Sequence, residues 1–244
     1  MIRPLLTFLF IGLAFFAGCT PSSENIARKA EAVGGEKDTL SATVWADEGS
    51  VPALDRPAER VISRFGPTIK RYAERYGFDW RFVLAVMKQE SRFYQRAESR
   101  KGAFGLMQIM PVTGLEVARK LDLRDLSHPE NNIRGGIFYL RKLYTMFDGA
   151  AEADRLKLTL AAYNAGVSRV YDAQEVAAYL QEQPNEWAPV RDALPLLSKR
   201  YYTLHWNVWG QEKPRGGWFG NAKETLNYVD AVMDYYDEYR TVLN

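Results

Sequence analysis

Apolar residues recur at helical spacing in one stretch after another from Pro57 to the C-terminal end, while strand signals are weak throughout. That pattern confines the chain to a mainly α fold. Pro67 to Tyr76 and Trp80 to Ser91 each carry an apolar stripe, and Gly77-Phe78-Asp79 separates them with Asp79 placed to cap the second helix. Val112 to Leu121 predicts a third helix. Ser127-His128-Pro129-Glu130 has capping-box spacing ahead of a helix running to about Phe147, and Leu156 to Asn164 and Glu175 to Gln181 continue the pattern. Asn221-Ala222-Lys223-Glu224 offers a second capping box before Thr225 to Val242. No internal repeat of roughly 20 to 50 residues is present, which disfavours a solenoid.

Pro184 to Gly220 breaks the rhythm. It holds Trp187, Trp206, Trp209 and Trp218 together with Gly210, Gly216, Gly217 and Gly220. This composition predicts an irregular insertion, either a subdomain packed on the core or a wall of a binding cleft.

The N-terminal end differs in kind. Arg3 precedes an apolar run from Pro4 to Gly18, too short to cross a bilayer comfortably at the usual 20 or so residues, and small residues follow where a peptidase cuts. Residues 1–18 therefore read as an export signal. Phe16-Ala17-Gly18-Cys19 resembles the bacterial lipoprotein box, which makes Cys19 the expected lipidation site, although Phe16 stands where leucine is commoner. Residues 19–56 are rich in Ser, Glu, Ala, Gly and Asp and predict a solvated tether with an r.m.s. reach of roughly 35 Å. Thr20 after the cysteine resembles lipoproteins sorted to an outer membrane, so the expected location is its periplasmic face.

Composition narrows the chemistry. Thirty-two Lys and Arg against 30 Asp and Glu leave a net charge of +2, too weak a field for nonspecific nucleic-acid binding. One cysteine and two histidines exclude an intramolecular disulfide and leave no Cys/His zinc cluster, so no metal or cofactor is expected. Catalysis must rest on carboxylates, hydroxyls and amides.

Three segments hold such groups. Phe82 to Ser91 places Glu90 at the end of an apolar helix, where burial disfavours the ionised form and makes a proton donor near neutrality; pairing with a cation such as Arg92 is the plain structural alternative. Gly102 to Pro111 contains Gly105-Leu106-Met107-Gln108, in which the glycine permits unusual dihedrals and Gln108 offers an amide able to read a sugar amide. The same turn also reads as a tight loop with Leu106 and Met107 in the core. Ala162-Tyr163-Asn164-Ala165-Gly166 ends a helix at a glycine C-cap. Ser127-His128 is no hydrolase pair, because a G-x-S-x-G elbow is missing.

In this order, Gln89-Glu90-Ser91, Gly105-Leu106-Met107-Gln108 and Ala162 to Gly166 resemble the E-S, G-L-M-Q and A-Y-N-A-G motifs of the soluble lytic transglycosylases, which cleave peptidoglycan. Glu224-Thr225-Leu226-Asn227-Tyr228-Val229 is similar to the family's E-T-x-x-Y-V, and Asn132-Ile133-Arg134-Gly135-Gly136 to its N-I-x-x-G. The resemblance covers about residues 68 to 174 and resumes near 222. The aromatic segment between is loosely similar to the catalytic module of membrane-bound lytic transglycosylase F.

The resemblance implies a lysozyme-like, mainly helical α+β domain over residues 57–244. It implies cleavage of the β-1,4 bond between N-acetylmuramic acid and N-acetylglucosamine without water, giving 1,6-anhydromuramoyl ends. Glu90 becomes the acid and then the base, with Ser91, Met107, Gln108, Tyr163, Asn164 and Tyr228 shaping the substrate site, and Glu224 a helix cap. Glycosidases that use water or a protein nucleophile usually need two carboxylates. One suffices if the substrate's N-acetyl group steadies the cation and its C6 hydroxyl attacks. The alternatives are a goose-type muramidase and a non-catalytic wall-binding lipoprotein; the expected partners are glycan strands and, through the lipid, a membrane.

Overall fold

A computed structural model describes residues 54–243. The export signal, Cys19 and nearly all of the tether lie outside the described residues. Nine α-helices follow in order: α1 (Arg56–Tyr76), α2 (Trp80–Ser91), α3 (Pro111–Leu121), α4 (Pro129–Tyr144), α5 (Glu152–Ala165), α6 (Val167–Tyr179), α7 (Trp187–Ala193), α8 (Tyr202–Trp209) and α9 (Ala222–Val242). Among the described residues, extended pairing is limited to two isolated bridges, Glu98 with Phe104 and Phe104 with Ile109.

Helix α2 is the centre. Phe82 through Met87 are all buried, so the helix is covered on every side, which its continuous apolar run anticipates. Burial of each large side chain contributes roughly 1.5–3 kcal/mol, enough to fix this helix as the frame on which others are placed. Its start is set by Asp79, whose Oδ1 accepts from the Arg81 amide at 2.9 Å. Helix α9 lies against α2, with Tyr236 edge-on to Phe82 at 5.6 Å and Arg81 donating to the Leu243 carbonyl at 2.9 Å. This contact brings the two ends of the domain together and sets Tyr228 opposite Glu90.

Helix α1 begins well before the expected Pro67. Asp55 caps it by accepting from the Ala58 amide at 2.8 Å, and a stripe of Ala58, Val61, Phe65, Ile69 and Ala73 runs through the proline without interruption. Pro67 removes one backbone donor on the exposed side, a cost that the buried stripe outweighs.

Three other local expectations need correction. The cap of α4 is His128, which makes no side-chain cap bond, with Pro129 in the first turn; Ser127 instead donates its amide to Asp125 at 2.7 Å. Asn221 does cap α9 by position, but its side chain bonds the Glu224 carboxylate instead of a backbone amide. The aromatic segment is largely helical: α7, the 3-10 turns Leu194–Leu197 and Lys199–Tyr201, and α8 occupy most of it. Its glycines cluster after α8, so the irregularity they signal is confined to the loop between α8 and α9.

The aromatic segment is a flank of the domain. Buried Trp187, Val190, Ala193, Leu194 and Leu197 carry it onto the core. The His205 ring sits between the carbonyls of Leu196 and Glu212, at 2.7 and 3.0 Å, and between the rings of Trp209 and Trp218. The loop after α8 is fastened to α6: Gly216 donates its amide to Asp172 at 2.6 Å, and Trp209 and Arg215 both bond Glu175.

Candidate active site

Glu90 lies in the last turn of α2, at a cavity of about 650 Å³. Its Oε1 accepts a 2.6 Å hydrogen bond from the Tyr228 hydroxyl, reaching across from α9. Arg92, the sequence neighbour that a surface pair would use, makes no bond to it. Burial pushes the Glu90 carboxyl up to about 7, and the Tyr228 hydrogen bond, which favours the anion, only partly offsets that rise. At neutral pH the group is thus divided between its two forms, a state in which a carboxyl can either give or take a proton. The hydroxyls of Tyr228 and Tyr163 stay protonated far above the usual range, through burial first and then the nearby Glu90 charge.

The end of α2 is unusual. Arg92 and Phe93 both have positive φ, 48° and 66°, and neither is glycine. Ser91 braces this turn: its buried hydroxyl donates to the Met87 carbonyl and accepts from the Phe93 amide, both at 3.1 Å. Both bonds are internal, so the serine shapes the site by holding the chain after Glu90.

The turn Gly105–Gln108 is held as firmly. Gly105 has φ 82°, and a Cβ there would meet Asn132 Cγ at 2.5 Å. Asn132 is buried, accepts from the Met107 amide at 2.8 Å and donates to the Phe104 carbonyl at 3.0 Å. Gln108 gives both amide hydrogens to backbone, to Ala97 and Gly105 carbonyls at 2.9 Å each, so its donors are spent inside the turn. The Met107 side chain is fully buried against Gly136, where an added Cβ would sit 2.5 Å from Met107 Cβ. Tyr163 ties this turn to α5 by donating to the Met107 carbonyl at 2.7 Å.

Three expected site residues, Glu90, Asn164 and Tyr228, line the cavity. The other four, Ser91, Met107, Gln108 and Tyr163, make bonds or packing contacts that hold the walls. Asn164 accepts from the Thr225 hydroxyl at 2.7 Å, and its amide hydrogens have no partner among the described residues.

The cavity also exposes Gln89, Asn221, Asn227 and Glu224, which the motif reading passed over or treated as caps. A signal was available: Glu224, Asn227, Tyr228 and Ala231 fall at i, i+3, i+4 and i+7 of α9, one face of a helix. Among the described residues no group of three His, Cys, Asp or Glu is placed to hold a metal ion, and no helix is long and apolar enough to cross a membrane.

Residues 67–184 match the family model described as the transglycosylase SLT domain. A protein of Desulfosudis oleivorans named membrane-bound lytic murein transglycosylase F is 36% identical over 177 residues, covering 72% of this chain and 36% of that protein. Its namesake in Vibrio parahaemolyticus is 33% identical over 186 residues, covering 75% and 32%. The X-ray structure of an inactive mutant of the lytic transglycosylase Slt from Pseudomonas aeruginosa superposes with a TM-score of 0.51 at 28% identity, over 74% of this chain and 25% of that one. The chain thus spans about a third of the length of these curated relatives.

Proposed function

The chain belongs to the SLT transglycosylase family through the domain at residues 67–184, and from that membership we propose that it is an enzyme cleaving peptidoglycan strands, with Glu90 as acid and then base. The observation that carries the reading is a carboxyl held near neutrality at a cavity wall, with one oxygen already engaged. Because Oε1 accepts from Tyr228, the transferable proton belongs on Oε2, which has no protein partner among the described residues.

In the first step Glu90 protonates the oxygen linking N-acetylmuramic acid to N-acetylglucosamine. The C1–O bond breaks, and the substrate's own N-acetyl oxygen shares the positive charge left at C1. Glu90, now a carboxylate, accepts the proton of the muramic C6 hydroxyl as that oxygen bonds to C1. The product is a 1,6-anhydro end, no water is consumed, and Glu90 is again protonated. A pKa of about 7 serves both halves of this cycle. A role for Asn164 in binding an acetamido carbonyl is supported by its place on the cavity and by amide hydrogens that have no partner among the described residues.

Glu224 favours a second reading. A second carboxylate on the same cavity is what a hydrolase uses to direct water, as in a goose-type muramidase. It is bonded to Asn221, however, and exposed, so it lacks the burial that tunes Glu90. Mass spectrometry of digested, purified sacculi decides between them. Anhydro ends are expected, and reducing muramic ends would overturn the lyase assignment. A chain that binds the wall without turnover would release neither.

The same reading places the enzyme on the periplasmic face of an outer membrane, held by a lipid on Cys19; the curated relatives are named membrane-bound. Cys19→Ala is expected to move the protein from the membrane to the soluble fraction of the envelope. Retention in the membrane fraction would defeat the anchor.

A further inference from the structure

The cavity at Glu90 does not end at Gln89. Gln89 also lines an adjoining cavity of about 430 Å³ with Lys88, Arg92, Tyr94 and Tyr235. Arg92 and Tyr94 in turn line a further cavity of about 360 Å³ together with Arg60 and Arg64. The three cavities neighbour one another through these shared residues, in succession from Glu90 past the end of α2 to the first turns of α1.

Charge is divided along this succession: Glu224 and Asp55 line the first two cavities, and only arginines supply charge in the third. Lys88 is neutralised by Asp55 at 3.1 Å and Glu238 at 3.7 Å. Arg60, Arg64 and Arg92 are exposed, and no carboxylate lies within 4.0 Å of any of them among the described residues. Arg60 and Arg64 stand one turn apart on α1 and so share a face. Arg92 is turned out by its left-handed backbone, the conformation that Ser91 braces. Tyr94 beside it is 71% exposed, an aromatic surface left open at the groove.

We infer that this basic groove binds the acidic peptide carried on the glycan strand, and so sets a preference for peptide-bearing over naked strands; this rests on the peptidoglycan reading above. The guanidinium fork matches a carboxylate in geometry as well as charge. Three such groups around a concave path fit an extended chain with several carboxylates better than a flat lipid surface. Because Gln89 lines both the Glu90 cavity and its neighbour, one strand reaches both, with sugar at Glu90 and peptide over Arg92.

The test uses the full chain carrying Arg60→Gln, Arg64→Gln and Arg92→Gln together, three exposed changes that leave the Glu90 cavity intact. Substrates are purified sacculi and the same sacculi stripped of peptide by an amidase. The triple variant is expected to bind peptide-bearing sacculi about tenfold more weakly, with binding to stripped sacculi unchanged. Binding is measured by sedimentation in a Glu90→Gln background, so it is read whether or not the chain turns the wall over. Turnover on both substrates is measured with Glu90 intact, and its absence defeats the transglycosylase reading alone. An unchanged ratio of the two affinities overturns the groove assignment. So does loss of binding to anionic phospholipid vesicles while the peptide preference persists, since the arginines would then serve a membrane.

Discussion

The Gly105–Gln108 turn and the exposed face of α9 border the same site and are built on opposite terms. In the turn, nearly every polar group is consumed: Gln108 is bonded twice to backbone, Met107 is clamped at both its amide and its carbonyl, and Asn132 fills the space that a larger residue than Gly105 would occupy. On α9, Asn227 and Glu224 remain exposed at the cavity, and only Tyr228 is buried, with its hydroxyl aimed at Glu90. The most recognisable segment of the chain therefore supports the site, and a less recognisable helix face supplies most of the surface a ligand would meet. A motif can mark a site by how rigidly it must be held.

The largest expected effect lies where the two regions meet. Glu90→Gln keeps the shape and removes the transferable proton, so cleavage of sacculi should fall by at least about a thousandfold while the circular dichroism spectrum stays native. Residual turnover near the wild-type rate would show that the proton comes from elsewhere, with Glu224 the next candidate.

Next come substitutions that separate support from surface. Asn132→Ala leaves the Met107 amide and the Phe104 carbonyl buried without partners, which should cost about 3 kcal/mol of stability in denaturant unfolding. Asn227→Ala, on the open face, should alter stability by no more than about 0.5 kcal/mol and raise KM instead. Equal stability losses for the two would erase the distinction.

That distinction also explains what could be read from the chain. The apolar run Phe82–Met87 dictates a buried helix, and Asp79 its start, because both signals act within a few residues. The place of Glu90 at the end of an apolar helix follows from α2 alone, but the cavity beside it and the burial that raises its pKa, partly offset by the bond from Tyr228 138 residues away, come only from packing of α9 on α2. The sequence around Gln108 is compatible with either a ligand or a loop role, and only the carbonyls of Ala97 and Gly105, which take up both its amide hydrogens, distinguish them. The helical character of α7 and α8 was hidden by glycines that belong to the loop after them.

A smaller effect tests the burial of Glu90 without any substrate. Its folded pKa of about 7 lies above the ordinary 4.5, so the folded protein holds a proton that the unfolded chain has released between those values. Stability is then greatest below about 4.5 and declines as pH rises through about 7 on account of this group. Glu90→Gln lacks the decline, and at pH 8 it should be more stable than wild type by on the order of 2 kcal/mol, with the difference vanishing near pH 4. No pH dependence in the difference would mean that the carboxyl is solvated.

The finest test concerns the single bond that joins the open face to the acid. Tyr228→Phe removes the hydroxyl and little else, since the ring is buried and stays apolar. That bond favours the Glu90 anion, so its loss should raise the carboxyl pKa above about 7. The first step of the proposed reaction needs Glu90 protonated, so on that proposal the alkaline limb of kcat/KM follows this ionisation in the free enzyme. The limb should therefore move to higher pH, while kcat at neutral pH falls about tenfold, because Oε1 is no longer held and the proposed return of the proton from the C6 hydroxyl would meet a less well-oriented base. A merely structural tyrosine would lower kcat with the limb unmoved. Tyr163→Phe supplies the contrast: its hydroxyl bonds the Met107 carbonyl, so its removal should loosen the turn and reduce stability, with a much smaller displacement of the limb.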